Sequence, residues 1–217
     1  MNTLDEQHMR LAVTTANDAR LRSRPNPWVG AVVVSPSGEV FTGSTLEPGN
    51  AHAEVVALSA AGKNAVGATL YSTLEPCSHT GRTGPCTTAI IESGISRVVV
   101  GTLDPDTQVS GSGVQQLRNA GLAVDVGVLE HEVRVQLAPY LHHRATGRPF
   151  VVLKMASTID GRIAAADGSS KWITGETARK RVHQLRAESD AIVVGAGTVR
   201  ADNPSLTVRD VHGPSPR

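Results

Sequence analysis

Leu74-Glu75-Pro76-Cys77-Ser78-His79-Thr80-Gly81-Arg82-Thr83-Gly84-Pro85-Cys86 sets two thiols at the ends of a polar, glycine-rich insertion of eight residues. Upstream, His52-Ala53-Glu54 supplies an imidazole and, two residues on, a carboxylate. One imidazole and two thiolates suit zinc, and three protein ligands leave the fourth tetrahedral position to water. Zinc brings the pKa of such a water toward neutrality. Glu54 is not needed as a ligand. It can take up the proton of that water, pass it to a ring nitrogen and later deliver a proton to departing ammonia. The zinc deaminases carry His-x-Glu followed by Pro-Cys-x-x-Cys. Here His52, Glu54, Pro76 and Cys77 keep that order and Cys86 comes after the longer insertion, so the pattern points to hydrolytic deamination.

Plainer readings compete with this one. Two cysteines alone can be small buried hydrophobes, or a disulfide in an oxidising compartment. A structural zinc site normally closes all four positions with protein ligands and has no use for Glu54. It is the linked pattern, and not the cysteine pair, that favours an open site. The insertion offers His79, Arg82 and Thr83 as donors to an anionic group, although the same side chains also suit hydrogen bonding within a glycine-rich loop.

Working outward, hydrophobic periodicity predicts an N-terminal amphipathic helix over 5–19, with Met9, Val13 and Ala16 on its apolar side. Short apolar strands are expected at 30–34, 40–43, 68–72, 97–101 and 124–128. The helix predicted over 52–61 carries His52 and Glu54 in its first turn. Pro85-Cys86 begins another that runs to Ser93, proline being well placed where no donor is missing. Helices over 114–119 and 130–141 complete an α/β alternation with a mixed sheet and helices on both faces. A boundary falls at Thr146-Gly147-Arg148-Pro149, dividing 1–146 from 147–217. Beyond it, 150–154 reads as a buried strand, and 191–194 as another leading into Gly195-Ala196-Gly197, a weak cue for close backbone approach to a phosphate.

Composition sets the class. A chain of 217 residues with 40% hydrophobic content has ample core material, and a formal charge of +1 argues against broad electrostatic binding to nucleic acid. A base editor acting on nucleic acid is further disfavoured because no aromatic and cationic strand-binding segment is evident. No long apolar run or secretory pattern opens the chain, so no membrane association and a cytoplasmic location are expected.

Segment 74–86, with Pro25-Asn26-Pro27-Trp28-Val29-Gly30 and Asp104-Pro105, resembles the deaminase half of the bifunctional deaminase/reductases of riboflavin biosynthesis. Lys154-Met155-Ala156-Ser157-Thr158-Ile159-Asp160-Gly161, Ser170-Lys171-Trp172-Ile173-Thr174-Gly175 and Asp202-Asn203-Pro204-Ser205-Leu206-Thr207-Val208-Arg209 resemble the opening half of the same family's reductase. The resemblance implies a cytidine-deaminase-like α/β/α domain over 1–146 and the first part of a dihydrofolate-reductase-like domain over 147–217.

It also implies a phosphorylated pyrimidine substrate, 2,5-diamino-6-(5-phosphoribosylamino)pyrimidin-4-one, whose 2-amino group is hydrolysed. Asn26 would line the base pocket, with His79, Arg82 and Thr83 helping to hold substrate. For the reductase it implies NADPH contacts at Ala156, Trp172, Thr198 and Asp202, and substrate contacts at Lys154, Ser170, Arg186, Leu206 and Arg209. Read without the family, Ala156 and Leu206 are equally core residues, Trp172 a packing anchor and Arg186 a solvated helix charge. A homodimer or homotetramer is implied as well. The family's reductase continues through further strands and a Gly-Gly-containing cofactor segment, so the chain reads as a portion of a longer protein. Deamination of a free nucleoside or nucleobase, or a noncatalytic zinc scaffold, stays open beside this reading.

Overall fold

In a computed structural model the described residues are 3–106 and 109–217, and the chain divides into two compact units, 1–150 and 151–217. The first unit is built on five strands, β1 (Gly30–Val34), β2 (Val40–Ser44), β3 (Thr69–Leu74), β4 (Arg97–Thr102) and β5 (Ala123–Val126), in the order β2-β1-β3-β4-β5. β1 runs antiparallel to both β2 and β3, whereas β3, β4 and β5 are parallel. The central strands are apolar because both of their faces are covered: Ala31, Val32 and Val33 of β1 and Val98, Val99 and Val100 of β4 are fully buried.

Two glycines show which helix covers which face. A Cβ on Gly30 would lie 2.0 Å from the Ala12 carbonyl of α1 (Thr3–Ala16). A Cβ on Gly43, whose partner across the ladder is Ala31, would lie 2.4 Å from both the Ala53 carbonyl and the Ala57 nitrogen of α2 (Ala53–Ala61). Gly30 and Ala31 are successive residues and point to opposite faces, so α1 and α2 sandwich the sheet. α3 (Cys86–Glu92) and α4 (Ser112–Asn119) lie on the α2 side, and α5 (Glu130–Gln136) lies with α1. At the sheet end remote from Cys77, Arg97 grips Asp5 of α1 through two hydrogen bonds of 2.8 and 3.0 Å while also bonding Asp125 of β5. Asp5 additionally accepts the Tyr71 hydroxyl at 2.8 Å.

Several predicted elements shift. His52 has extended backbone and caps α2 instead of sitting in its first turn, and Pro85 likewise caps α3, leaving Cys86 as the first helical residue. The single helix predicted over 130–141 is two, α5 and α6 (Ala138–Thr146), meeting at Leu137. Pro139 has no N–H for the Val135 carbonyl and crowds it, so one helix cannot run through.

The second unit contains α7 (Glu176–Ala187) and α8 (Ala196–Asp202) and, among the described residues, no strand. The strands predicted at 150–154 and 191–194 do not form. A strand exists by pairing, and residues 190–192 meet Arg217 through two backbone bonds, too few for a ladder. The apolar side chains stay in the open, with Val151 81%, Leu153 82% and Val193 92% exposed. Gly195 is the N-cap of α8, and a Cβ on Gly195 or Gly197 would meet no atom of the described chain within 4 Å.

Candidate metal centre and active site

Parallel pairing of β3 and β4 brings their carboxyl ends to one end of the sheet, and antiparallel β1 begins there while β2 ends there. The segments carrying Asn26, His52, Cys77 and Asp104 therefore all leave the sheet at one end, where ligands bind in open α/β sheets. His52 stands at the N-terminus of α2 and Cys86 at that of α3, two helices packed against each other, and Cys77 follows β3.

The ligand atoms converge. His52 Nδ1 lies 3.3 Å from Cys86 Sγ and 3.6 Å from Cys77 Sγ, and all three atoms fall within 4.8 Å of one another. A tetrahedral zinc with its usual bond lengths needs nitrogen–sulfur separations of about 3.6 Å. The donor set and its spacing thus fit zinc held by three protein ligands. The Cys86 N–H donates to Cys77 Sγ at 3.4 Å, and Thr87 holds the Cys77 carbonyl through its N–H at 3.2 Å and its hydroxyl at 3.3 Å. The Cys86 thiol, as hydrogen-bond donor, lowers the Cys77 thiol from its ordinary value. The same contact, with burial, pushes the Cys86 thiol up. His52 is raised by its contact with Cys77.

Glu54 is buried beside this cluster without belonging to it. Its carboxylate accepts the Ser72 hydroxyl at 3.3 Å and lies 3.6 Å from Cys86 Sγ. Burial raises its pKa, so the chain holds a desolvated base next to the ligands.

The Cys77–Cys86 loop presents His79 and Arg82 to solvent, with Thr83 half-buried and its carbonyl accepting the Gly81 N–H at 3.1 Å. Asn26 is half-buried ahead of β1, its N–H bonded to the Ser23 carbonyl at 2.8 Å.

In the second unit, Ser170 and Trp172 line one shallow cavity of about 410 Å³ with Thr158, Asp160 and Arg162. Arg186 of α7 donates to the Thr207 carbonyl at 3.1 Å, and Arg209 donates to the Thr207 hydroxyl at 2.9 Å, so these two cations bracket the turn that carries Leu206. Thr198 and Asp202 lie one turn apart on α8, while Lys154 and Ala156 sit in the irregular stretch after residue 150.

Sequence reasoning passed over Glu75. It is only 3% exposed and accepts backbone N–H groups from Asp104 (3.3 Å), Gly111 (2.9 Å) and Val114 (3.1 Å). Its charge two residues before a ligand cysteine was the available signal.

Fold and site together define a zinc-deaminase-type domain followed by a distinct C-terminal segment, and comparison with known families bears out both parts. Residues 2–102 match the cytidine and deoxycytidylate deaminase zinc-binding region, and residues 149–217 match the RibD C-terminal domain. Along nearly its whole length the chain is similar to RibD proteins. It is 52% identical to the riboflavin biosynthesis protein RibD of Aquifex aeolicus over 208 residues, 96% of this chain and 58% of that one. The crystal structure of a diaminohydroxyphosphoribosylaminopyrimidine deaminase/5-amino-6-(5-phosphoribosylamino)uracil reductase from Thermotoga maritima superposes with a TM-score of 0.90 at 47% identity, covering 99% of this chain and 62% of that one. Acinetobacter baumannii RibD superposes with a TM-score of 0.86 at 44% identity, covering 96% and 58%. The chain therefore spans about three fifths of the length of these relatives.

Proposed function

We propose that the first unit hydrolytically deaminates 2,5-diamino-6-(5-phosphoribosylamino)pyrimidin-4-one to 5-amino-6-(5-phosphoribosylamino)uracil, with water entering at C2 and ammonia leaving. The observation that carries this is Glu54, a buried carboxylate beside a three-ligand cluster that does not need it as a ligand. Zinc held by His52, Cys77 and Cys86 would supply a water made acidic enough to give up its proton near neutral pH. Glu54 receives that proton, transfers it to the ring nitrogen next to C2, and serves again as acid when the amino group departs. Its burial favours the protonated form, which makes the carboxylate a stronger base toward that water. Ser72 orients the carboxylate from β3.

The anionic end of the substrate suits the cationic loop between the cysteines, with Arg82, His79 and Thr83 as donors and Asn26 facing the base. The second unit supports a further reading for the full-length protein: NADPH-dependent reduction of the ribosyl group to ribityl. Its cofactor contacts would be Ala156, Trp172, Thr198 and Asp202, and its substrate contacts Lys154, Ser170, Arg186, Leu206 and Arg209. The RibD C-terminal match over residues 149–217 supports it.

The deciding test is ammonia release from this substrate by the zinc-loaded chain, with Glu54→Gln measured alongside. Turnover that depends on Glu54 is expected. Equal turnover by Glu54→Gln would overturn the mechanism, and turnover of unphosphorylated nucleosides in preference would overturn the substrate.

A further inference from the structure

Each metal ligand is only as well placed as the backbone that carries it, and the three differ in this respect. His52 and Cys86 are held by α2 and α3, whereas Cys77 belongs to a turn outside any regular element. What fixes that turn is packed against it. Glu75, two residues before Cys77, is buried and accepts three backbone N–H bonds: one from Asp104 after β4, one from Gly111 and one from Val114 in the first turn of α4. Between Glu75 and Cys77, the Pro76 carbonyl comes so close to Gly113 that a Cβ there would lie 2.0 Å from it. Beyond Cys77, the Ser78 hydroxyl bonds the Ser112 hydroxyl at 2.7 Å. Gly111, Ser112, Gly113 and Val114 thus meet Glu75, Ser78 and Pro76 residue against residue.

We infer that Glu75 and the start of α4 form a clamp that holds Cys77 at ligand distance from His52 and Cys86, making Glu75 a positioning residue for the metal centre. The inference rests on the zinc site proposed above. A buried carboxylate is costly unless its lone pairs are satisfied, and three N–H donors satisfy this one. With the carboxylate in place, the Cys77 turn cannot drift without breaking bonds to a separate helix. Unlike the groups that orient a ligand side chain directly, Glu75 acts on the backbone that carries one.

The test uses the whole 217-residue chain. Zinc affinity is measured by competition with a colorimetric chelator, and the cobalt-substituted protein is examined for thiolate-to-metal charge-transfer bands. In Glu75→Gln the amide nitrogen cannot accept, so at least one of the three bonds is lost. About tenfold weaker zinc binding and displaced cobalt bands are expected, with helix content retained. Val133→Ala, on the opposite face of the sheet, serves as the control. It should lower thermal stability yet leave affinity and bands as in the parent. Should Glu75→Gln not fold, Ser112→Ala removes the tether to Ser78 and is expected to weaken zinc about threefold. Parent-like affinity and bands in the folded variant overturn the clamp, and so does an equal loss in Val133→Ala. A parent chain that binds neither metal through thiolates overturns the zinc site itself and the clamp with it.

Discussion

Glu54 and Ser72 are joined across two elements: the Ser72 hydroxyl, on β3, reaches the Glu54 carboxylate of α2 at 3.3 Å. The same hydroxyl lies 2.8 Å from the Leu74 carbonyl, so its one proton is shared between the two acceptors. Losing this contact frees the carboxylate to rotate without removing it. Ser72→Ala should retain zinc and lower kcat about tenfold, whereas Glu54→Gln should lower it by about a thousandfold or more. Steady-state ammonia release and zinc content measured on the same preparations separate the two effects.

Removal of the metal tests the ligand set as a whole. Dialysis against a strong chelator is expected to abolish ammonia release and to lower the unfolding temperature of the first unit, because zinc binds the folded ligand set far better than the unfolded chain. Zinc should restore both, and Cys86→Ser should fail to recover activity. Unchanged thermal unfolding after verified zinc loss would contradict the expectation.

Arg82 is exposed on the loop between the two cysteines. If it meets the substrate phosphate, Arg82→Ala should raise KM about tenfold for the phosphorylated pyrimidine. The dephosphorylated analogue should be unaffected. An equal rise for both compounds would place the effect in the loop's shape instead.

Gly43 makes room for α2, the helix that carries Glu54 and is capped by His52. In Gly43→Ala the methyl meets backbone atoms of Ala53 and Ala57 at 2.4 Å, so the helix must move. Overpacking of this kind costs about 2 kcal/mol, and zinc affinity should fall together with stability. Denaturant unfolding and the chelator competition are the measurements.

The contact between Asp5 and Arg97 predicts a pH dependence. The Arg97 hydrogen bonds hold the Asp5 carboxyl below its usual value, so the folded state favours the ionised form. That stabilisation is present above the ordinary aspartate range and is lost as pH falls through the depressed folded value. Asp5→Asn should therefore cost about 2 kcal/mol at pH 7. The gap between variant and parent should narrow steadily below about pH 4. Thermal unfolding across pH 2–7 decides this, and a constant gap would contradict it.

How much was legible varies with the range of the physics involved. The strand at Gly30–Val34 and the ligands His52, Cys77 and Cys86 could be read because an apolar run and a donor pattern are local properties. The break at Leu137 was hidden because a proline near a helix start is well tolerated, and nothing local announces that a second helix begins there. The role of Glu75 is not legible in the motif, since its donors lie 29, 36 and 39 residues away. The apolar stretch at 150–154 carries the composition of a buried strand, but composition cannot supply the neighbour that turns an extended segment into one.

The separation between Asp5 and Arg97 also has a consequence in time. The two residues stand 92 positions apart, and Arg97 belongs to a strand that pairs with β3 and β5. At bacterial or eukaryotic synthesis rates of about 5–20 residues per second, the first helix waits roughly 5–18 seconds for its anchor to be translated. Throughout that interval Met9, Ala12 and Ala16, all fully buried in the finished fold, have no complete sheet to rest on. A helix made well before its anchor is thus secured late, and the nascent chain depends during that wait on its own solubility or on a chaperone's grip.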